Sequence, residues 1–252
     1  MDNKDYIFGT RAVIEAIKNG RSIDKVLIKK GLDNELFGIL FPLIKEKNIN
    51  FQFVPVERIN RITRKNHQGI LAYLSPVDFA DIEIVLPGLF EAAKNPLLLI
   101  LDRVTDVRNF GAIVRSAECG GVNAIIVPEK GMARIGADAV KTSAGALNHL
   151  PVCKSPNLKD TVRFLKNSGI KIVVASEKAD KLYTAATMDM PLCIIVGAED
   201  KGTSPAVLQL ADEVVRIPLL GKIDSLNVSV AAALMIYEAV RQRDITSNEL
   251  KY

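Results

Sequence analysis

The sequence has no tryptophan, only two histidines and three cysteines, and each scarcity removes a class of function. Cys119, Cys153 and Cys193 form no CxxC pair and are odd in number, and His67 and His149 stand far apart. A zinc site is therefore not expected, and no metal is assigned; reduced thiols in a cytoplasm fit this usage. With aromatics at 6%, a base-stacking platform of the single-strand-binding kind looks thin. No apolar run approaches the roughly 20 residues that cross a bilayer. The polar start Met1-Asp2-Asn3-Lys4-Asp5 lacks the apolar core of a secretory signal, so no membrane partner is expected.

What remains is an ordinary globular composition, 48% hydrophobic and 25% charged over 252 residues, with an uneven distribution of charge. The first 75 residues hold 13 Lys+Arg against 8 Asp+Glu, a net of +5. The remainder has 20 against 21, a net of −1. That asymmetry suits a polyanion-binding module joined to a near-neutral one, although a solvated lysine-rich surface would give the same count. The basic third reads as a small α/β unit. Thr10 caps a helix to Lys18, strands lie at Lys25–Ile28, Phe51–Val54 and Gly69–Leu74, and a helix spans Glu35–Lys47. Arg58, Arg61 and Lys65 recur at helical spacing, which predicts a basic helix face for phosphate contact or a solvated one.

Residues 76–95, with Pro76, Pro87 and Gly88, read as a connection between domains 1–75 and 96–252, with room for a short helix at its end. From Pro96 onward the pattern changes. Apolar strands at Leu97–Leu101, Ala124–Val127, Ile170–Ala175, Leu192–Val196 and Val214–Ile217 alternate with helical segments near 110–119, 136–147, 157–168, 204–211 and 226–242. Continuous apolar strands joined by helices mean an α/β fold with a mainly parallel sheet covered on both faces.

Ligands bind such sheets beyond the carboxyl ends of the strands, and three of the loops there are unusual. In the first, Asn109 stands at an expected helix N-cap. Arg115 lies among Ile113, Val114 and Ala117, from where its guanidinium is expected to reach back over the Asn109 loop, or else to form a structural salt bridge. In the second, Gly197 and Gly202 flank Glu199 directly after a buried strand; Gly197 would let a ligand approach the backbone. In the third, the segment from Ile217 to Leu226 precedes a long helix expected to be capped by Ser225, with Asn227 in its first turn. Each loop alone reads equally well as ordinary structure. The three in this order on one sheet edge are specific.

These motifs resemble those of the SpoU family of RNA ribose methyltransferases, within the trefoil-knotted SPOUT superfamily. The first matches at Asn109, Gly111 and Arg115, the second at Gly197, Glu199 and Gly202, and the third at Ser225-Leu226-Asn227-Val228-Ser229. The likeness spans residues 97–243. The first third is similar to the ribosomal-protein-like substrate-binding domain that precedes this catalytic domain in the bacterial 23S rRNA guanosine 2′-O-methyltransferases. The resemblance implies a trefoil knot, a homodimer with its cleft at the interface, and S-adenosylmethionine held by backbone around Gly197, Ile217 and Leu226. It implies catalytic work for Asn109, Arg115, Glu199, Ser225 and Asn227. The RNA partner implied is 23S rRNA or a ribosomal precursor particle. Val107-Arg108 stands where many members carry Asp-Pro-His, putting Arg108 near the RNA, and Leu219-Leu220-Gly221 replaces the commoner Met-x-Gly. These departures leave the RNA target open between rRNA and tRNA. A Rossmann enzyme would need GxGxxG after its first strand, where this chain has Asp102-Arg103-Val104-Thr105. A non-catalytic RNA-binding relative is the remaining alternative.

Overall fold

The structure, a computed structural model, describes residues 6–92, 95–133, 135–198 and 200–247. The chain divides into two compact units, and the first reaches Asp78 and also takes in residues 135–137. It is built from β1 (Tyr6–Phe8), α1 (Thr10–Lys18), β2 (Ile23–Lys29), α2 (Glu35–Glu46), β3 (Phe51–Val54), α3 (Val56–Asn60) and β4 (Ile70–Leu74). The strands form one sheet in the order β1-β4-β2-β3, with β3 parallel to β2 and the other pairs antiparallel. Alternation along β2 divides the core. Val26 and Ile28 pack beneath Val13, Ile14 and Ile17 of α1 and Leu40 and Ile44 of α2. Leu27, pointing the other way, packs with Val54, Leu71 and Ile59 of α3.

Local capping differs from expectation at α1. Gly9, at φ +89°, takes the N-cap position, and Thr10 is the first helical residue with its hydroxyl buried and unbonded. The predicted basic helix is also shorter than its charge spacing suggests. α3 ends at Asn60, Arg61 follows it, and Lys65 lies in the loop beyond. Arg58, Arg61 and Lys65 are all exposed but do not share one helix face.

The second unit begins with β5 (Phe79–Ala80), α4 (Ile82–Glu91) and β6 (Leu97–Asp102). It continues through α5 (Val107–Cys119), β7 (Ala124–Pro128), α6 (Ala137–Thr142), a 3-10 turn at Ala146–Asn148, β8 (Val152–Ser155), α7 (Leu158–Asn167), β9 (Lys171–Ala175) and β10 (Lys181–Leu182). A second 3-10 turn at Tyr183–Ala185, β11 (Leu192–Gly197), α8 (Pro205–Leu208), β12 (Glu213–Arg216) and α9 (Val228–Ser247) complete it. Residues 76–95 are thus not a bare connection: β5 pairs with β8, and Ile82 and Leu86 of α4 enter the core.

Eight strands run in the order β10-β12-β9-β11-β6-β7-β8-β5, and every neighbouring pair is parallel. All six residues of β6 are buried, as a central strand covered on both faces requires. One face carries α4, α7 and α8 over Leu98, Ile100, Ile126, Ile172 and Ile195. α5 and α9 pack against each other, with Phe110, Ile113, Val114, Met235 and Ile236 buried. Among the described residues no helix is long and apolar enough to cross a membrane.

Candidate active site

The carboxyl ends of β9, β11 and β12 open into a pocket of about 610 Å³, counting the space open to solvent. Its floor is Val196, Gly197 and Ala198 after β11, with Ala175, Ser176 and Glu177 after β9. Ile217, Leu219, Ser225 and Leu226, from the loop between β12 and α9, close the other side. Apolar side chains and backbone dominate the lining, with hydroxyls from Ser176 and Ser225 and the exposed carboxylate of Glu177 as its polar groups.

The loop after β11 is tightly anchored. Ala198 and Gly202 form a bridge, with the Gly202 N–H donating to the Ala198 carbonyl at 2.8 Å. Asp102, buried at the end of β6, accepts from the Ser204 N–H at 2.6 Å, and Arg103 donates to the Gly202 carbonyl at 3.0 Å. A Cβ on Gly197 would lie 2.1 Å from the Gly202 carbonyl carbon. Gly197 is therefore required first by its own loop folding back over it, rather than only by an approaching ligand. Glu199 lies outside the described residues.

Beside the pocket, two helix starts meet. Asp106, not Asn109, caps α5, accepting from the Arg108 and Asn109 N–H groups at 2.8 Å each. Asn109 instead accepts from the Asn227 side-chain amide at 2.9 Å across 118 residues of chain. Asn227, not Ser225, caps α9: its side-chain oxygen accepts from the Ser229 N–H at 2.9 Å, and its carbonyl takes the first helical bonds from Val230 and Ala231. Ser225 stands outside the helix, in the pocket wall.

No hydrogen bond joins Arg115 to Asn109. Six residues along a helix are about 9 Å of rise and a third of a turn away. Ile113, Val114 and Ala117 are buried while Arg115 is exposed, with no hydrogen bond or ion pair among the described residues. The expected salt bridge is thus not found among these residues either. Arg108 is exposed in the first turn of α5.

In the first unit, the loop that carries Arg64 and Lys65 is pinned by buried His67. The Gly69 N–H, which can only donate, reaches His67 Nδ1 at 3.0 Å. The ring proton is therefore on Nε2, which donates to Asn60 Oδ1 at 2.8 Å. The sequence reading missed this pin, and it missed Ser176 and Glu177. Their position directly after an apolar strand was the available signal.

Comparison with known proteins agrees with this geometry. Residues 96–237 match the SpoU rRNA methylase family, and residues 6–80 match the RNA 2′-O ribose methyltransferase substrate-binding domain. The chain belongs to the SpoU family. It is an S-adenosylmethionine-dependent RNA ribose methyltransferase. A Staphylococcus saprophyticus protein assigned to the TrmH family of tRNA/rRNA methyltransferases is 36% identical over 242 residues, covering 94% of this chain and 96% of that one. The SpoU methyltransferase AviRb from Streptomyces viridochromogenes, solved with its cofactor AdoMet, matches with a TM-score of 0.60 and 25% identity, over 96% of this chain and 91% of that one. The A. aeolicus TrmH/SpoU tRNA-modifying enzyme matches at 0.56 and 30% identity, covering 85% of its own length but only 66% of this chain.

The pocket fits S-adenosylmethionine. Leu219, Leu226 and Val228 offer apolar surface for an adenine, and the backbone of Gly197, Ile217 and Leu226 is available for hydrogen bonds. The Glu177 carboxylate matches the cofactor's positive charge.

Proposed function

We propose that this enzyme methylates the ribose 2′-hydroxyl of a guanosine in 23S rRNA, as free RNA or within a precursor particle, in the cytoplasm. The observation that carries the placement of the chemistry is the Asn109–Asn227 bond, which ties the first and third motifs together beside the pocket. The choice of rRNA is supported by the basic first unit. The substrate-binding model matches that unit over residues 6–80, and the A. aeolicus tRNA-modifying enzyme covers 66% of this chain.

A ribose hydroxyl is a feeble nucleophile and needs its proton removed or its developing charge stabilised. When bound, S-adenosylmethionine supplies an electrophilic methyl carbon on its sulfonium. Gly197, Ile217 and Leu226 hold that group, and Asn109, Ser225 and Asn227 orient the ribose beside it, with Glu199 completing the frame. Arg115 is exposed and available to RNA. A guanidinium keeps its proton, so its role is to grip the phosphate and stabilise the negative charge that develops on the ribose oxygen. The hydroxyl proton passes to solvent water as the oxygen attacks the methyl carbon and the sulfonium leaves as the neutral thioether. Arg108 on the same helix, and Arg58, Arg61 and Lys65 in the first unit, bind phosphates of the substrate.

A homodimer belongs to the same reading. α5 and α9 present an open groove lined by Ser116, Ser229, Val230, Leu234 and Tyr237, and the last three are large exposed apolar residues beside the helix that carries Arg115.

The test is incubation with methyl-labelled S-adenosylmethionine and, separately, unmodified 23S rRNA and tRNA, followed by digestion to nucleosides. Label in 2′-O-methylguanosine from rRNA alone is the expected result, and label from tRNA alone would overturn the substrate. Arg115→Ala is expected to abolish transfer with cofactor binding intact. Loss of both together would contradict the division of roles.

A further inference from the structure

Nine phenylalanines are spread over the sequence, yet four of them meet in the first unit. Phe37 and Phe41, one turn apart on α2, stack with ring centroids 5.3 Å apart. Phe51 and Phe53, alternate residues of β3, meet edge-on at 5.8 Å. Phe41 joins the two pairs, 5.2 Å from Phe51 and 6.0 Å from Phe53. The Lys45 ammonium stands 4.8 Å from the centre of the Phe41 ring.

The fold does not require these rings. Leu40 and Ile44 of the same helix fill the core completely and are 0% exposed, whereas Phe51 is 37% and Phe53 43% exposed. A valine or threonine would serve an edge strand as well without leaving apolar rings in water, which on an edge is an association hazard.

We propose that Phe51 and Phe53, braced from behind by Phe41, form a base-stacking platform for unpaired nucleotides of the RNA substrate, with Lys45 on the adjoining phosphate. The proposal rests on the RNA-methylating function above and adds a binding subsite to it. Three observations favour RNA over a protein partner or a second copy. A lysine ammonium beside two exposed rings pairs a phosphate contact with stacking faces, the combination that single-stranded nucleic acid uses. The unit's net charge of +5 over the first 75 residues attracts a polyanion and repels another copy of itself. The third is chain connectivity. β3 runs through Pro55 directly into α3, which packs on the opposite face of the sheet, so one edge strand has rings on one side and Arg58 on the other. A single strand of RNA crossing that edge meets both.

The experiment uses the full chain. Phe51→Leu with Phe53→Leu keeps apolar volume and removes both stacking faces. Its dissociation constants for fluorescein-labelled oligouridine and for an unmodified 23S rRNA transcript, read by anisotropy, are expected to rise about tenfold, the loss of roughly one base stack. Its melting temperature and its affinity for S-adenosylmethionine are expected to stay at the wild-type values. Because the chain has no tryptophan, Phe53→Trp adds a single indole whose emission is expected to be quenched by saturating oligouridine, and this readout survives even if the leucine pair misfolds. Unchanged RNA affinity in the leucine variant, or an unquenched indole at saturation, overturns the platform. So does a leucine variant that binds RNA normally but loses self-association in sedimentation, which would make the cluster a protein contact. If the wild type methylates RNA while the platform fails, only this inference falls. If the wild type neither binds nor methylates any of these RNAs, the substrate reading falls with it.

Discussion

Gly197 and Gly202 differ in what an added methyl group would meet. At Gly197 it would lie 2.1 Å from the Gly202 carbonyl carbon and 2.2 Å from the Thr203 nitrogen, backbone atoms in a loop held by Asp102 and Arg103. At Gly202 nothing lies within 4 Å, and only the φ of +61° opposes a side chain. Gly197→Ala is therefore expected to cost about 3 kcal/mol or more and to abolish S-adenosylmethionine binding in calorimetry. Gly202→Ala should cost about 1–2 kcal/mol, the penalty of the left-handed region. Equal effects of the two on melting temperature would show that the loop yields where it is drawn as rigid. The thiols sort by the same local reasoning. Cys119 is exposed, while Cys153 and Cys193 are buried, and burial together with the Asp81 carboxylate pushes the Cys153 thiol up to about 11. At pH 8 a disulfide reagent should titrate Cys119 alone in the native protein and all three cysteines after unfolding. A rapid second equivalent from the folded protein would place one of the buried pair within reach of solvent.

Elements were legible where period and composition agree. β6, β7, β9, β11 and β12 are apolar runs bounded by turns, and each begins and ends within one residue of its expected limits. β5 has only two residues and was not legible, and the short helix allowed at the end of the connection is the ten-residue α4, which packing of Ile82 and Leu86 sustains through Pro87 and Gly88. Cap assignments failed for a related reason. Asp106 and Asn109, like Ser225 and Asn227, are competing capping residues a few positions apart, and only the three-dimensional Asn109–Asn227 contact shows which is spent on its own helix. The knot implied by the family likeness has no periodicity at all. α9 itself makes a testable pH statement. Buried Glu238 accepts from Arg241 through both carboxylate oxygens, at 2.7 and 2.9 Å, and from Gln242 at 2.7 Å. The Arg241 hydrogen bonds hold its carboxyl below the usual carboxylate range. A depressed folded-state value means this stabilisation is complete above the unfolded value and lost as pH falls through the folded one. Thermal melts from pH 7 down to pH 3 should therefore show wild type losing its advantage over Glu238→Gln in the acid range. A constant gap between them at all pH values would remove the carboxylate's charge from the account.

For the whole molecule, the decisive property is that positive charge and cofactor pocket belong to different units. The excess is confined to the first 75 residues, and the pocket is built entirely from residues 175–231. Charge partition was visible in sequence by counting alone. The placement of Arg58, Arg61 and Lys65 was not, because their spacing suggested a helix that stops at Asn60. What holds their segment in place is instead the His67 bond to Asn60 and the Gly69 N–H bond to the same ring. Two consequences separate this arrangement from a uniformly basic surface. If the three side chains contact phosphates, replacing them together with alanine should reduce the slope of log affinity against log salt by about 2, at roughly 0.7 per lost single-strand contact. The same variant should bind S-adenosylmethionine as wild type does. His67→Ala removes no charge from that set but frees the segment, so it should weaken RNA binding at every salt concentration while leaving the slope nearly unchanged. Anisotropy titrations of an unmodified 23S rRNA transcript across a salt series distinguish the two variants. A slope unchanged in the triple variant would mean that these cations face solvent and that the RNA is held elsewhere on the chain.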